Sequence, residues 1–217
     1  IFSLCLTGGS TPRSLYKALN REPFRSALDW SRVLIFFGDE RTVSPDHPDS
    51  NYRMAREAWL SQGPIPAEAI FRMEGEADGD PKALQAAADR YAALMRQHLL
   101  PDEAGFPVLD LLLLGIGGDG HTASLFPGTA ALNEHIKTVC ANEVPQHATW
   151  RLTLTLPTLN AARKVWFLVT GNDKADRVTQ ALGFAEGGHD LQVALVRPVE
   201  APHWWLDRPA AGRIVTD

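Results

Sequence analysis

Leu109 to Ser124 reads LDLLLLGIGGDGHTAS, an apolar run of strand length that breaks into glycines and then presents Asp119 and His121 two residues apart. Four consecutive leucines ahead of Gly115 suit a strand buried on both faces, as parallel sheets require. The same pattern of apolar run, polar or glycine-bearing loop and helical stretch recurs along the chain. Strands are expected at Ile1 to Leu6, Val33 to Phe37, Leu109 to Leu114, Arg151 to Leu156, Val165 to Val169 and Leu191 to Val196. The clearest helix spans about Pro81 to Leu100, where Leu84, Ala87, Ala88, Tyr91, Leu94, Met95 and Leu99 recur at i, i+3, i+4 spacing. Others are expected to start near Pro12, Asn51 and Asp173. The alternation predicts an α/β fold, a mostly parallel sheet flanked by helices.

At 217 residues, 45% hydrophobic and 22% charged, the chain fits one globular domain over residues 1–217. The acidic stretch Glu74 to Asp80 is too short to be a domain linker, and no internal repeat is visible. Ile1 to Leu6 already reads as a buried strand, which leads us to expect further residues ahead of it. A net charge of -5 and a pI near 5.8 give no global basic field for nucleic acid or an anionic membrane, so an anionic ligand needs a local site. No apolar run approaches the roughly 20 residues of a membrane span. The longest, Leu109 to Gly117, is broken by Asp110 and glycines. Cys5 and Cys140, without a closely spaced partner, suit a reducing, cytoplasmic setting. No obligatory protein partner is evident.

In open α/β sheets ligands collect outside the carboxyl ends of the strands, so the loops there carry the function. The first strand runs into Thr7, Gly8, Gly9, Ser10, Thr11 and Pro12. Ser10 or Thr11 can cap the following helix, Pro12 fits its first turn, and Gly8 and Gly9 let backbone N–H groups approach an anion at the helix N-terminus. An ordinary capped turn fits that loop equally well. After the second strand come Gly38, Asp39, Glu40 and Arg41, where Asp39 can orient a polar substrate and Arg41 can donate its planar fork to oxygens. A solvated charged turn is the plain alternative.

Gly115, Gly117 and Gly120 satisfy the spacing of a dinucleotide-binding loop, but Pro127 and Gly128 interrupt the helix that such a loop must open. A nucleotide-binding oxidoreductase reading leaves the Asp119 and His121 pair unexplained. Asp119 can hold the imidazole tautomer so that the other ring nitrogen accepts a proton from water. A metal site is disfavoured, since the other histidines are scattered and no HExxH or Cys/His cluster completes one. Lys174, after the Val165 to Val169 strand, and Arg151, at the head of another, are candidate cations for a phosphate, although Arg151 also reads as a surface residue at a sheet end.

Taken together, TGGSTP at Thr7 to Pro12, GDER at Gly38 to Arg41, HPDSNY at His47 to Tyr52, GIGGDGHTASLFPG at Gly115 to Gly128, RLTLTLPTLN at Arg151 to Asn160 and TGNDKA at Thr170 to Ala175 resemble the family containing 6-phosphogluconolactonases and glucosamine-6-phosphate deaminases. The similarity runs over essentially the whole chain. It implies a modified doubly wound α/β fold, a phosphosugar substrate and no cofactor. It further implies that His121 is the catalytic base, Asp119 its partner and Arg41 a charge-stabilising or orienting group. Gly8, Gly9, Ser10, Thr11, Asp39, Arg151 and Lys174 would bind phosphate or substrate oxygens. Where the deaminases carry a glutamate five residues after the histidine, this chain has Phe126, and Arg41 replaces the tyrosine usual after their Asp-Glu pair. The expectation is therefore hydrolysis of a phosphorylated sugar lactone by a histidine-activated water. The alternatives are a deaminase of the same family and a non-catalytic sugar-phosphate-binding protein.

Overall fold

The computed structural model describes residues 1–77 and 79–214. In chain order the strands are β1 (Phe2–Leu6), β2 (Val33–Phe37), β3 (Asp39–Arg41), β4 (Leu111–Leu114), β5 (Val139–Val144), β6 (Thr149–Leu154), β7 (Val165–Val169) and β8 (His203–Leu206). The α-helices are α1 (Ser10–Leu19), α2 (Phe24–Ala27), α3 (Asn51–Ala55), α4 (Pro81–His98), α5 (Leu156–Asn160), α6 (Ala175–Ala181) and α7 (Arg208–Ala211). Five strands lie side by side in the order β2-β1-β4-β7-β8, all parallel, and β3-β6-β5 form a separate antiparallel sheet.

The centre of the parallel sheet explains the unbroken apolar runs. Leu4, Cys5 and Leu6 of β1 and Leu112, Leu113 and Leu114 of β4 are all buried, so both faces of each strand meet core. α4 packs its stripe of Leu84, Ala87, Ala88, Tyr91 and Met95 inward against the small sheet. Its N-terminus is fixed by Pro81 and by the Asp80 carboxylate, which accepts from Lys82 N at 3.0 Å. The strand order also sets the position of the site. From β1 the chain crosses to β2 on one side, whereas β4 lies on the other, so the loops leaving β1 and β4 diverge and open a crevice.

Two tyrosines satisfy the backbone at the ends of β1 and β2. The Tyr16 hydroxyl, from α1, accepts from Thr7 N at 3.0 Å and donates to Thr7 O at 2.9 Å. The Tyr91 hydroxyl, from α4, accepts from Phe37 N at 2.8 Å and donates to Phe37 O at 3.2 Å. Burial pushes both hydroxyls above their ordinary range, so each stays a neutral donor and acceptor.

The structure departs from the expected strands in several places. Leu191 to Val196 is not a strand: it coils through 3-10 turns closed by Ala194 N to Leu191 O at 3.0 Å and Val196 N to Val193 O at 3.3 Å, burying Leu191, Val193 and Val196. The fifth parallel strand is β8 instead. β5 escapes a pattern reading because its alternation is masked by Asn142, which is fully buried yet polar. β6 starts at Thr149 and ends at Leu154, since Leu156 opens α5. The helix expected near Asn51 does form, and it widens into a π turn over Arg56–Leu60.

Tyr16→Phe keeps the ring but strands a buried N–H and C=O at Thr7. It is expected to cost about 1–3 kcal/mol of stability, read as a lower urea midpoint at unchanged m.

Candidate active site

A cavity of about 500 Å³ lies where the loops after β1 and β4 diverge, and β3 and β6 of the antiparallel sheet close its side. Its wall takes Thr7, Gly8 and Gly9 from the first loop and Gly115, Ile116, Gly117 and residues 121–124 from the second. Asp39 and Arg41 of β3, Asn51 of α3, Arg151 of β6, Phe126 and His147 complete it.

The second loop folds back on itself, with Gly117 N donating to His121 O at 2.8 Å and Gly120 N to Gly117 O at 3.1 Å. That fold places Asp119 Oδ1 at 2.5 Å from His121 Nδ1 and at 3.1 Å from His121 N. Gly117 is required there, because a Cβ would overlap the His121 ring and stand 2.7 Å from Asp119 Oδ1. Beneath the imidazole lies Phe126, stacked at 4.0 Å between centroids, and the His147 ring meets Phe126 edge-on at 5.3 Å. With Nδ1 taken by the carboxylate, Nε2 is the ring nitrogen left to act on a ligand. Burial alone would raise the Asp119 carboxyl, but the His121 amide and imidazole outweigh it and hold Asp119 below its ordinary range.

The third wall is built on Glu40. This buried carboxylate accepts from Arg41 N at 2.8 Å, Asn51 N at 2.7 Å, Tyr52 N at 2.8 Å and Ser50 Oγ at 3.0 Å, tying β3 to the N-terminus of α3. Burial pushes Glu40 above the usual carboxylate range while the four donors pull it back. Its neighbours in sequence, Asp39 and Arg41, point the other way into the cavity. Asp39 accepts from Ser124 Oγ at 2.7 Å and from Asn51 Nδ2 at 3.2 Å, which cross-links the two loops and α3. Arg41 Nη1 donates to Asn51 Oδ1. Arg151 stands directly across from Arg41 in the β3–β6 ladder. Burial, and then the adjacent Arg41 charge, lower the Arg151 pKa. Among the described residues neither guanidinium has a carboxylate within ion-pair distance.

Of the residues singled out in the sequence, Gly8, Gly9, Asp39, Arg41, His121 and Arg151 line the cavity, with Asp119 directly behind His121. Ser10, Thr11 and Lys174 do not. Nor do Ser10 and Thr11 cap α1: Gly9 holds the cap position at φ 115, where only glycine is comfortable, and no side-chain cap bond forms. Thr11 bonds Thr170 Oγ1 at 2.7 Å instead, and Lys174 lies 3.4 Å from Asp173 Oδ2. Asn51, Ser124 and His147 line the wall without having been singled out. HPDSNY and the loop after His121 contained the first two, but nothing in their spacing reveals that they face Asp39. Among the described residues no group of three or more His, Cys, Asp and Glu is placed to hold a metal ion, and no helix is long and apolar enough to cross a membrane.

A doubly wound parallel sheet with an imidazole–carboxylate pair and two unneutralised guanidiniums at its switch point defines an α/β protein with donors for a small anionic ligand. Comparison with known proteins narrows this. Residues 1–205 match the family described as glucosamine-6-phosphate isomerases/6-phosphogluconolactonase, and the chain belongs to it. It is 40% identical over 209 residues to the 6-phosphogluconolactonase of Synechocystis sp., covering 96% of this chain and 82% of that protein. A probable chloroplastic 6-phosphogluconolactonase 3 from Oryza sativa subsp. indica is 37% identical over 222 residues, which are 98% of this chain and 66% of the rice protein's length. The solved 6-phosphogluconolactonase of Trypanosoma brucei superposes with a TM-score of 0.84 at 33% identity, over 99% of this chain and 86% of that one.

The depressed Asp119 value is directly testable. In a carboxyl NMR titration Asp119 is expected to titrate below the ordinary aspartate range, and His121→Ala should move it up, because the imidazole bond and charge are lost while burial remains. Since the folded value is the lower one, the stabilisation carried by this contact is present above the unfolded-state pKa and fades as pH falls through the folded one.

Proposed function

We propose that this chain hydrolyses 6-phospho-D-glucono-1,5-lactone to 6-phosphogluconate, the lactone-opening step of the oxidative pentose phosphate pathway, as a single cytoplasmic domain over residues 1–217. The observation that carries this reading is His121, held 2.5 Å from Asp119 and sharing one cavity with Arg41 and Arg151, neither of which has a carboxylate partner among the described residues. Membership of the family supplies the substrate class.

The chemistry follows from the parts. Asp119 accepts the Nδ1 proton and fixes the tautomer, so His121 Nε2 takes a proton from water as that water attacks the lactone carbonyl carbon. Arg41 receives the developing oxyanion. When the tetrahedral intermediate collapses, the bond to the ring oxygen breaks and the imidazolium returns its proton to that oxygen, leaving a hydroxyl and a carboxylic acid. The phosphate is held by Arg151 and by the Gly8–Gly9 turn at the N-terminus of α1, with Asp39 accepting from sugar hydroxyls. We assign Ser10, Thr11 and Lys174 to the rim of that phosphate site, since none of them lines the cavity wall itself.

The decisive assay is hydrolysis of phosphorylated and unphosphorylated gluconolactone, corrected for spontaneous opening. His121→Ala is expected to lower kcat by about 10²- to 10⁴-fold while 6-phosphogluconate still binds; near wild-type turnover would sink the mechanism. Phe126, 4% exposed and stacked under His121, cannot carry the proton that the deaminase glutamate carries. Incubation with glucosamine 6-phosphate should therefore yield neither ammonia nor fructose 6-phosphate above the enzyme-free control.

A further inference from the structure

We infer that Asn51 is a positioning residue for Arg41, holding the guanidinium in the cavity through a side-chain amide whose orientation Asp39 dictates. This rests on the lactonase reading above, in which Arg41 meets the substrate. Asn51 is 1% exposed, so its amide must be satisfied from within the protein. Its Nδ2 donates to Asp39 O at 2.9 Å and Asp39 Oδ1 at 3.2 Å. Both are acceptors, so only the nitrogen can face them. The amide oxygen is thereby turned to the other side, where it accepts from Arg41 Nη1. The Asn51 backbone cannot slide, because its N–H is bonded to Glu40 Oε1 at 2.7 Å. Gly8 closes the arrangement from the opposite loop: a Cβ there would collide with the Asn51 amide and stand 2.9 Å from Arg41 Nη1.

The choice of an amide has a physical reason. A carboxylate at this position would grip Arg41 more tightly but would cancel its charge, and it would face the Asp39 carboxylate with no proton between them. A neutral amide locates the guanidinium by a single hydrogen bond and leaves its positive charge for the ligand. The order of dependence is therefore Asp39, then Asn51, then Arg41.

A double-mutant cycle in kcat/KM for the phosphorylated lactone, with thermal unfolding of every protein alongside, tests this. Asn51→Ala is expected to lower kcat/KM by about tenfold or more when Arg41 is present, mostly through kcat, and by less than about twofold in the Arg41→Ala background. Equal losses in the two backgrounds would overturn the inference, since a purely structural asparagine acts regardless of Arg41. Asn51→Asp, nearly isosteric, provides a second arm and replaces the alanine variant in the cycle if that one does not fold. It should lose at least as much activity as Asn51→Ala, and wild-type kcat/KM in it would also overturn the assignment. Should the unmodified protein fail to hydrolyse the lactone, the lactonase reading falls by itself. The same cycle is then read on 6-phosphogluconate binding by calorimetry, where coupling between Asn51 and Arg41 sustains the inference and additivity ends it.

Discussion

A buried carboxylate that accepts four hydrogen bonds holds one whole wall of the cavity in place. Glu40 meets the N-terminal amides of α3, where a helix has unpaired N–H groups and the positive end of its dipole, and it also holds the amide of Arg41. Ser50 adds its hydroxyl to Glu40 and caps the same helix by accepting from Arg53 N at 3.1 Å. Loss of any one donor would leave a buried charge short of a partner, a more severe change than loss of a surface contact. The two residues flanking Glu40 in β3 inherit their aim from it, because alternation in a strand sends both to the opposite face.

The glycine-rich loop after β4 shows how one pattern serves different chemistry. In a dinucleotide fold such glycines bring backbone to a pyrophosphate at the start of a helix. Here the chain makes a tight turn from Thr122 to Leu125, with Leu125 N bonded to Thr122 O at 3.0 Å and Ala123 in a left-handed conformation at φ 48. Gly117 makes room for an imidazole and a carboxylate. Gly120, at φ 90, lies against Leu191 and accepts from Val193 N through its carbonyl. The coiled run Leu191 to Val196 thus supports the loop that carries His121.

What the sequence discloses follows the range of the forces involved. β1, β2, β4 and β7 are legible because burial on both faces writes itself as a continuous apolar run, and α4 because its stripe has the helical period. β3 is three charged or acidic residues, Asp39 to Arg41, and becomes a strand only by pairing with β6, more than a hundred positions away. β5 hides because Asn142 spends its amide on Ser124 O and Thr129 Oγ1 in the interior. In the site, Asp119 and His121 are readable since their contact is local. Asn51 is not, since its partners lie on another element, and Lys174 looks apt from its helix end although the cavity wall closes without it.

Gly38 belongs to both sheets. Its N–H donates to Leu6 O at 2.9 Å in the parallel sheet, and its carbonyl accepts from Leu154 N at 2.9 Å in the antiparallel one. The two layers that enclose the cavity are therefore spliced at a single residue, with β2 continuing into β3 across it. A jaw-like swing of one sheet against the other would have to break one of these two bonds, so the splice resists a change in the width of the crevice. Such a pocket measures its guest as a fixed gauge measures a shaft. A pocket of steady width sorts guests by ring size and substituent bulk, and the exposed His147 stands at its rim.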